Sequence, residues 1–215
     1  MHWIIYHIAK LILIFTLPFI VLVRGSLYIH ENYDPGARMS IIGGMAITAG
    51  IILIYLIVLH SKVSGKVSGS KSLKSKAVIS LLLVAGFAVN SLYFISGTNF
   101  KNPELKSEIR SLNPILRLAV GTLVMIDKEA VITDTNRVPE DYKRMGLKTN
   151  RSSLHYEQED GYAYAIDLRV RGKSEIRNKL TQWYFDWMGF NTLRHGGSAD
   201  HLHVSLPCHY RRGAI

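Results

Sequence analysis

The sequence predicts an α-helical membrane segment of three transmembrane helices followed by a small α+β domain built on an antiparallel sheet. Two observations carry this. Residues 1–97 hold long apolar runs and only two acids, Glu31 and Asp34, whereas residues 98–215 have the mixed charge of a globular domain. In that second part, strand-like and helix-like periodicities follow one another without a repeating strand-helix unit, which favours antiparallel pairing over a parallel sheet.

A helix needs roughly 20 mostly apolar residues to cross a hydrocarbon core of about 30 Å. Three segments qualify: Ile4 to Val23, Ser40 to Leu59 and Ala77 to Ile95. The second and third are uncharged throughout. The first contains His7, Lys10 and Pro18, a kink point; a lysine near a helix end can snorkel to the interface. Val23 is followed by Arg24, Gly25 and Ser26 without a small-residue cleavage site, so this segment is expected to be retained rather than removed as a signal peptide. In the second segment Gly43, Gly44, Ala46, Ala49 and Gly50 either let a neighbouring helix approach closely or act as flexible filler.

Loop charge sets the expected orientation. The stretch 61–76 carries Lys62, Lys66, Lys71, Lys74 and Lys76 and no acid, so it is expected in the cytoplasm, while the first loop balances Arg24 and Arg38 against Glu31 and Asp34. The N-terminus then lies in the cytoplasm, and three crossings of the cytoplasmic membrane put the C-terminal domain in the periplasmic or extracellular space. The net charge of +10 is divided between the lysine-rich loop and the globular part. It forms no single basic stripe, which argues against a nucleic-acid partner and leaves the lipid bilayer as the expected one. Cys208 is the single cysteine, excluding an internal disulfide and a thiolate cluster, so a metal site must use histidine and carboxylate.

Within the second part, Glu104 to Met125 reads as helix interrupted at Asn113-Pro114, and Ala130 to Thr133 as a short buried strand. Asp134 to Ser153 reads as a polar loop with one helical turn. Tyr162 to Val170 alternates as a strand does. Lys173 to Met188 spaces Ile176, Leu180, Trp183, Tyr184 and Trp187 along one helix face, which predicts that this face packs into the core, with tryptophans lining a substrate groove as the alternative. Strands are expected near Thr192 to Arg194 and at His201 to Leu206.

Chemistry is expected where histidines cluster. His195, Asp200, His201 and His203 lie close in sequence, and residues two apart on a strand share a face, so His201 and His203 project together. Asp167 sits amid Ala165, Ile166 and Leu168, where a carboxylate is costly to bury unless paired or bound to metal; alternatively it faces solvent on the other side of the strand.

The stretches SLHYE, AYAID and HLHVSL together resemble the zinc-peptidase superfamily of D-alanyl-D-alanine carboxypeptidases, phage peptidoglycan endopeptidases and the Hedgehog signalling domain. AVITDTNR resembles the strand and arginine that precede the metal motif in that family, and the likeness covers roughly Asn113 to Leu206. It implies zinc held by His155, Asp167 and His203, Asp200 as general base in an acidic-x-x-His arrangement, His195 as reserve base, and His201 orienting substrate or stabilising an oxyanion. It also implies that Arg137 contacts a substrate peptide or carboxylate. Two departures stand out: QEDGY is inserted between the first two ligands, with Ala163 in place of the family's glycine, and the base, Asp200, is an aspartate of shorter reach than the commoner glutamate.

The function expected from this resemblance is hydrolysis of peptide bonds in peptidoglycan stem peptides by zinc-activated water, as carboxypeptidase or endopeptidase, and the outward orientation suits it independently. The competing expectation is a non-catalytic zinc-containing module that binds a peptide or partner. Only Lys10 is charged within an expected span, which gives little support for an ion pathway.

Overall fold

Long apolar runs become long helices. In the computed structural model, which describes residues 2–65, 69–144, 146, 148, 152–197 and 200–207, α1 spans His2–Tyr33, α2 Ala37–Ser64 and α3 Ser70–Tyr93. Lys66 and Cys208 lie outside the described residues. All three helices are long and apolar enough to cross a membrane. They outrun the expected spans because the flanking polar residues continue the helix: the first connection shrinks to Asp34, Pro35 and Gly36, and on the far side α2 runs to Ser64 and α3 begins at Ser70. Asp34 and Gly36 take positive φ (42° and 84°), which lets the chain reverse within three residues.

The chain divides into two units, Met1–Asn90 and Ser91–Ile215. In the first, α1 and α2 form an antiparallel hairpin whose closest approach is at glycine. A Cβ on Gly44 would collide with the Ser26 side chain and the Leu22 carbonyl, and one on Gly43 with Ile29, whereas Gly50 has open space around it. Close packing therefore explains Gly43 and Gly44 but not Gly50. The buried hydroxyls of Ser26 and Thr48 donate to the carbonyls of Leu22 and Gly44 one turn back, so neither is left unsatisfied.

The second unit is centred on α5 (Pro114–Ile126), buried from Pro114 through Val124. Asn113 caps it, its side chain accepting from the Ile115 amide at 2.9 Å, with Pro114 in the first turn. The short α4 (Pro103–Glu108) precedes it, so the expected break at Asn113-Pro114 is present. Strands β1 (Ile132–Asp134), β2 (Ala165–Arg169), β3 (Asn191–His195) and β4 (His201–Ser205) form one antiparallel sheet in the order β1-β2-β4-β3. The polar stretch after β1 contains α6 (Pro139–Arg144). Ile166, Leu168, Leu202 and Val204 are buried on one face of the sheet, and Asp167 and His203, paired in register, share the other.

Helix α7 (Glu175–Met188) begins at a Ser174 cap and ends at Gly189, whose φ of 96° allows the Phe190 amide to reach back to the Phe185 carbonyl at 3.0 Å. Its orientation corrects the sequence expectation. The buried residues are Asn178, Thr181, Phe185 and Met188, while Ile176, Leu180, Trp183 and Trp187 are exposed. Of the expected face only Tyr184 turns inward, its hydroxyl donating to the Ala119 carbonyl at 2.8 Å. The less apolar stripe is the buried one because its polar groups find partners: the Asn178 amide donates to Val170 and the Thr181 hydroxyl to Arg177.

Candidate metal centre

Three chain segments bring the site together. β2 and β4 pair antiparallel with Asp167 opposite His203, so both side chains leave the same face at neighbouring positions. The loop after α6 delivers His155, whose position is fixed by its own backbone: the Arg137 amide donates to the His155 carbonyl at 3.0 Å, and the Tyr164 amide to the Leu154 carbonyl at 2.8 Å. His155, Asp167 and His203 are all buried and offer one ligand atom each within 4.8 Å of one another, so this group can hold a metal ion.

Hydrogen bonding assigns the ring nitrogens. His155 Nδ1 lies 2.7 Å from the Thr135 carbonyl, which can only accept, so Nδ1 carries the proton and Nε2 presents a lone pair inward. Nε2 is 3.2 Å from His203 Nδ1 and 3.3 Å from Asp167 Oδ1, and His203 Nδ1 is 2.9 Å from that same oxygen. Two imidazole nitrogens and a carboxylate oxygen thus converge on one point, an electron-rich centre suited to a cation. A backbone carbonyl orienting a histidine through its remote nitrogen is the support that metal-binding imidazoles commonly have. His203 Nε2 is buried without a hydrogen-bond partner, an unmet capacity next to the cluster.

Burial alone would raise the Asp167 carboxyl, but the adjoining His155 imidazole and the hydrogen bond with His203 outweigh it and hold the group well below the usual carboxylate range. Asp167 is therefore an anion in a buried position, not a solvent-facing residue between two apolar neighbours. Arg137 completes its environment, with Nη2 2.7 Å from Asp167 Oδ2 and Nε 2.7 Å from Asp134 Oδ2. The same guanidinium lies 5.5 Å from the Tyr142 ring and lines a cleft of about 230 Å³ with Glu108, Thr133, Asn136 and Asp141.

The remaining site residues are spread along the β3-β4 end. His201 Nε2 is 3.6 Å from Asp167 Oδ2, and the His201 ring stacks on His195 with centroids 4.8 Å apart. Burial first, then the proximity of His201 and His203, lowers the His195 pKa, so its ring is neutral at pH 7. Asp200 is engaged elsewhere: Arg194 binds both its oxygens at 3.1 and 3.0 Å and also holds Glu175. The hydrogen bonds from Arg194 keep the Asp200 carboxyl below its ordinary value.

The QEDGY insertion folds as a self-contained turn. Gly161 donates to Gln158 at 3.0 Å, Gln158 donates to Tyr162 at 2.9 Å, and Glu157 bridges Ala163, with Gly161 at a φ of 79°. This is the pattern of a three-residue hairpin loop closed by a glycine bulge. Because the insertion closes on itself, its two ends still present His155 and Asp167 to one another.

Sequence reasoning missed three supporting groups. The Thr135 carbonyl leaves no residue-type signature. Ser153, whose hydroxyl accepts from the His155 amide at 3.3 Å and from the Tyr142 hydroxyl at 2.8 Å, was legible only as the serine two before the histidine. Tyr142 lay in the stretch read as loop. Compared with models of known protein families, with curated proteins and with solved structures, the chain matches none.

Proposed function

We propose that the chain is a membrane-anchored zinc peptidase acting on peptidoglycan stem peptides outside the cytoplasmic membrane. The observation that carries this reading is the convergence of His155 Nε2, Asp167 Oδ1 and His203 Nδ1 at 2.9–3.3 Å, with the tautomer of His155 set by Thr135. The donor set of two imidazoles and a carboxylate suits zinc, and three protein ligands would leave a fourth position for water. The likeness of SLHYE, AYAID and HLHVSL to zinc peptidases supports the reaction class. The lysines of the stretch 61–76, which ends α2 and begins α3, support the outward placement of the domain.

Zinc held by these residues would supply a Lewis acid for a peptide carbonyl and lower the pKa of water beside it. The chain's own groups do the rest. Arg137 holds Oδ2 of Asp167, so that Oδ1 is turned toward the histidines. His195, neutral at pH 7, and His201 can accept a proton near the reacting carbonyl and return it to the leaving amine. Asp200 fills that role when Arg194 yields one of its oxygens.

The pairing of Asp200 with Arg194 favours a second reading, a zinc-containing module that binds peptide without cleaving it. Digestion of purified peptidoglycan by the full chain in detergent, with and without chelator and with products identified by mass spectrometry, separates the two. Chelator-sensitive release of stem-peptide fragments supports the peptidase. Stoichiometric zinc with no released product supports the binding module.

A further inference from the structure

Helix α7 carries two stripes on opposite sides. At 3.6 residues per turn, Ile176, Leu180, Trp183 and Trp187 fall within about 60° of arc, centred about 150° from the stripe of the buried Asn178, Thr181, Phe185 and Met188. The four outward side chains are 74%, 56%, 55% and 74% exposed. Lys179 is exposed along the edge of this stripe, and Arg171 is exposed in the turn leading into the helix.

Such a face has features of an interfacial helix: aliphatic and indole groups in one narrow stripe, a charged edge made of Lys179 with the exposed acids Asp186 and Glu175, the latter paired with Arg194, and low overall hydrophobicity. Indole is suited to the headgroup region because its ring is apolar while its N–H needs a polar partner. Chain connectivity supplies the occupant. α3 ends at Tyr93, and only Phe94, Ile95 and Ser96 separate it from a 3-10 turn at Gly97–Asn99, so the chain between the last apolar helix and the following elements is short. Tyr93 and Phe94 at this junction are 63% and 72% exposed, as aromatic residues at a membrane boundary are.

We propose that the outward face of α7 rests in the headgroup region of the bilayer that α1, α2 and α3 cross, with Trp183 and Trp187 inserted and Lys179 against anionic headgroups. The proposal rests on the reading of those helices as membrane spans and is independent of the metal chemistry. Docking of this kind would hold the metal-bearing domain flat on the membrane, restricting the peptides it meets to those close to the bilayer.

The test uses the full chain with Trp3→Phe, leaving Trp183 and Trp187 as its tryptophans, reconstituted in phosphatidylglycerol nanodiscs. Brominated acyl chains should remove about half or more of the emission, acrylamide should quench it poorly, and the exposed-face variant Leu180→Glu should reverse both. Emission untouched by brominated lipid, with both tryptophans open to acrylamide, overturns the proposal. So does protection from acrylamide without bromine quenching, accompanied by a lower oligomeric state in Leu180→Glu, since the stripe would then bind a second copy. Failure of the chain to enter nanodiscs would overturn the span reading itself, a separately visible result.

Discussion

Arg137 grips the oxygen of Asp167 that faces away from the paired histidines: Nη2 lies 2.7 Å from Oδ2, while Oδ1 stands 2.9 Å from His203 Nδ1. One carboxylate is thus divided between a fixed cation and a candidate metal position. Arg137 therefore acts on the site through Asp167, whatever it does for substrate.

Arg137→Lys should keep the fold and the charge but lose the planar fork that spans Asp134 and Asp167. Metal affinity should fall about 10- to 100-fold, the usual cost of removing a group that orients a ligand. Competition against a zinc-binding dye measures it.

Zinc should raise the thermal stability of the detergent-solubilised chain, by about 2.7 kcal/mol at a free concentration 100 times the dissociation constant. Asp167→Asn or His155→Ala should abolish that increment. Calorimetry with and without added zinc reads both effects, and an undiminished increment in either variant would remove these residues from the ligand set.

Asp200→Ala should leave zinc stoichiometry unchanged. If Asp200 is the general base, cleavage of stem peptides should drop about 100-fold or more. An unchanged rate would move the role to His201 or His195, and His201→Phe would then carry the loss.

Asp127 ties α5 to α7 through Arg177 and Lys173. Burial tends to raise its pKa, but the Arg177 hydrogen bond and the two cations outweigh this, so the folded value lies below the ordinary one. Its contribution to stability is therefore present above the unfolded value of about 4 and is lost as pH falls through the depressed folded value. Asp127→Asn should cost about 1–2 kcal/mol at pH 7 and flatten the acid limb below pH 4 in chemical denaturation.

Gly161→Ala should destabilise the domain by about 1–2 kcal/mol, because a Cβ is strained at positive φ. Zinc stoichiometry should not change, since the turn lies outside the metal group. A parallel loss of metal would show that the insertion helps to shape the site.

Much of the molecule was legible in the chain. The three long helices follow from apolar length, although their ends do not, since Tyr28 to Tyr33 and Lys71 to Lys76 are polar enough to read as loop yet continue a helix. The capped α5 follows from Asn113-Pro114, and β4 from the alternation in HLHVSL. The face of α7 was misread because hydropathy ranks Trp183 and Trp187 above Asn178 and Thr181, and only the partners Val170 and Arg177 make the latter pair burial-compatible.

By itself the sequence determined the periodicities, and with them which residues can share a strand face or a helix stripe, because side-chain direction repeats every two or 3.6 residues. The tertiary structure decided which faces meet. Asp167 stands opposite His203 because β2 and β4 pair in one register out of several, and a shift of one residue would turn Asp167 away. His155 turns its Nε2 inward because a carbonyl thirty-two residues from Asp167, that of Thr135, takes its other proton. Contacts between distant segments depend on packing free energy summed over the whole domain, which no local pattern encodes.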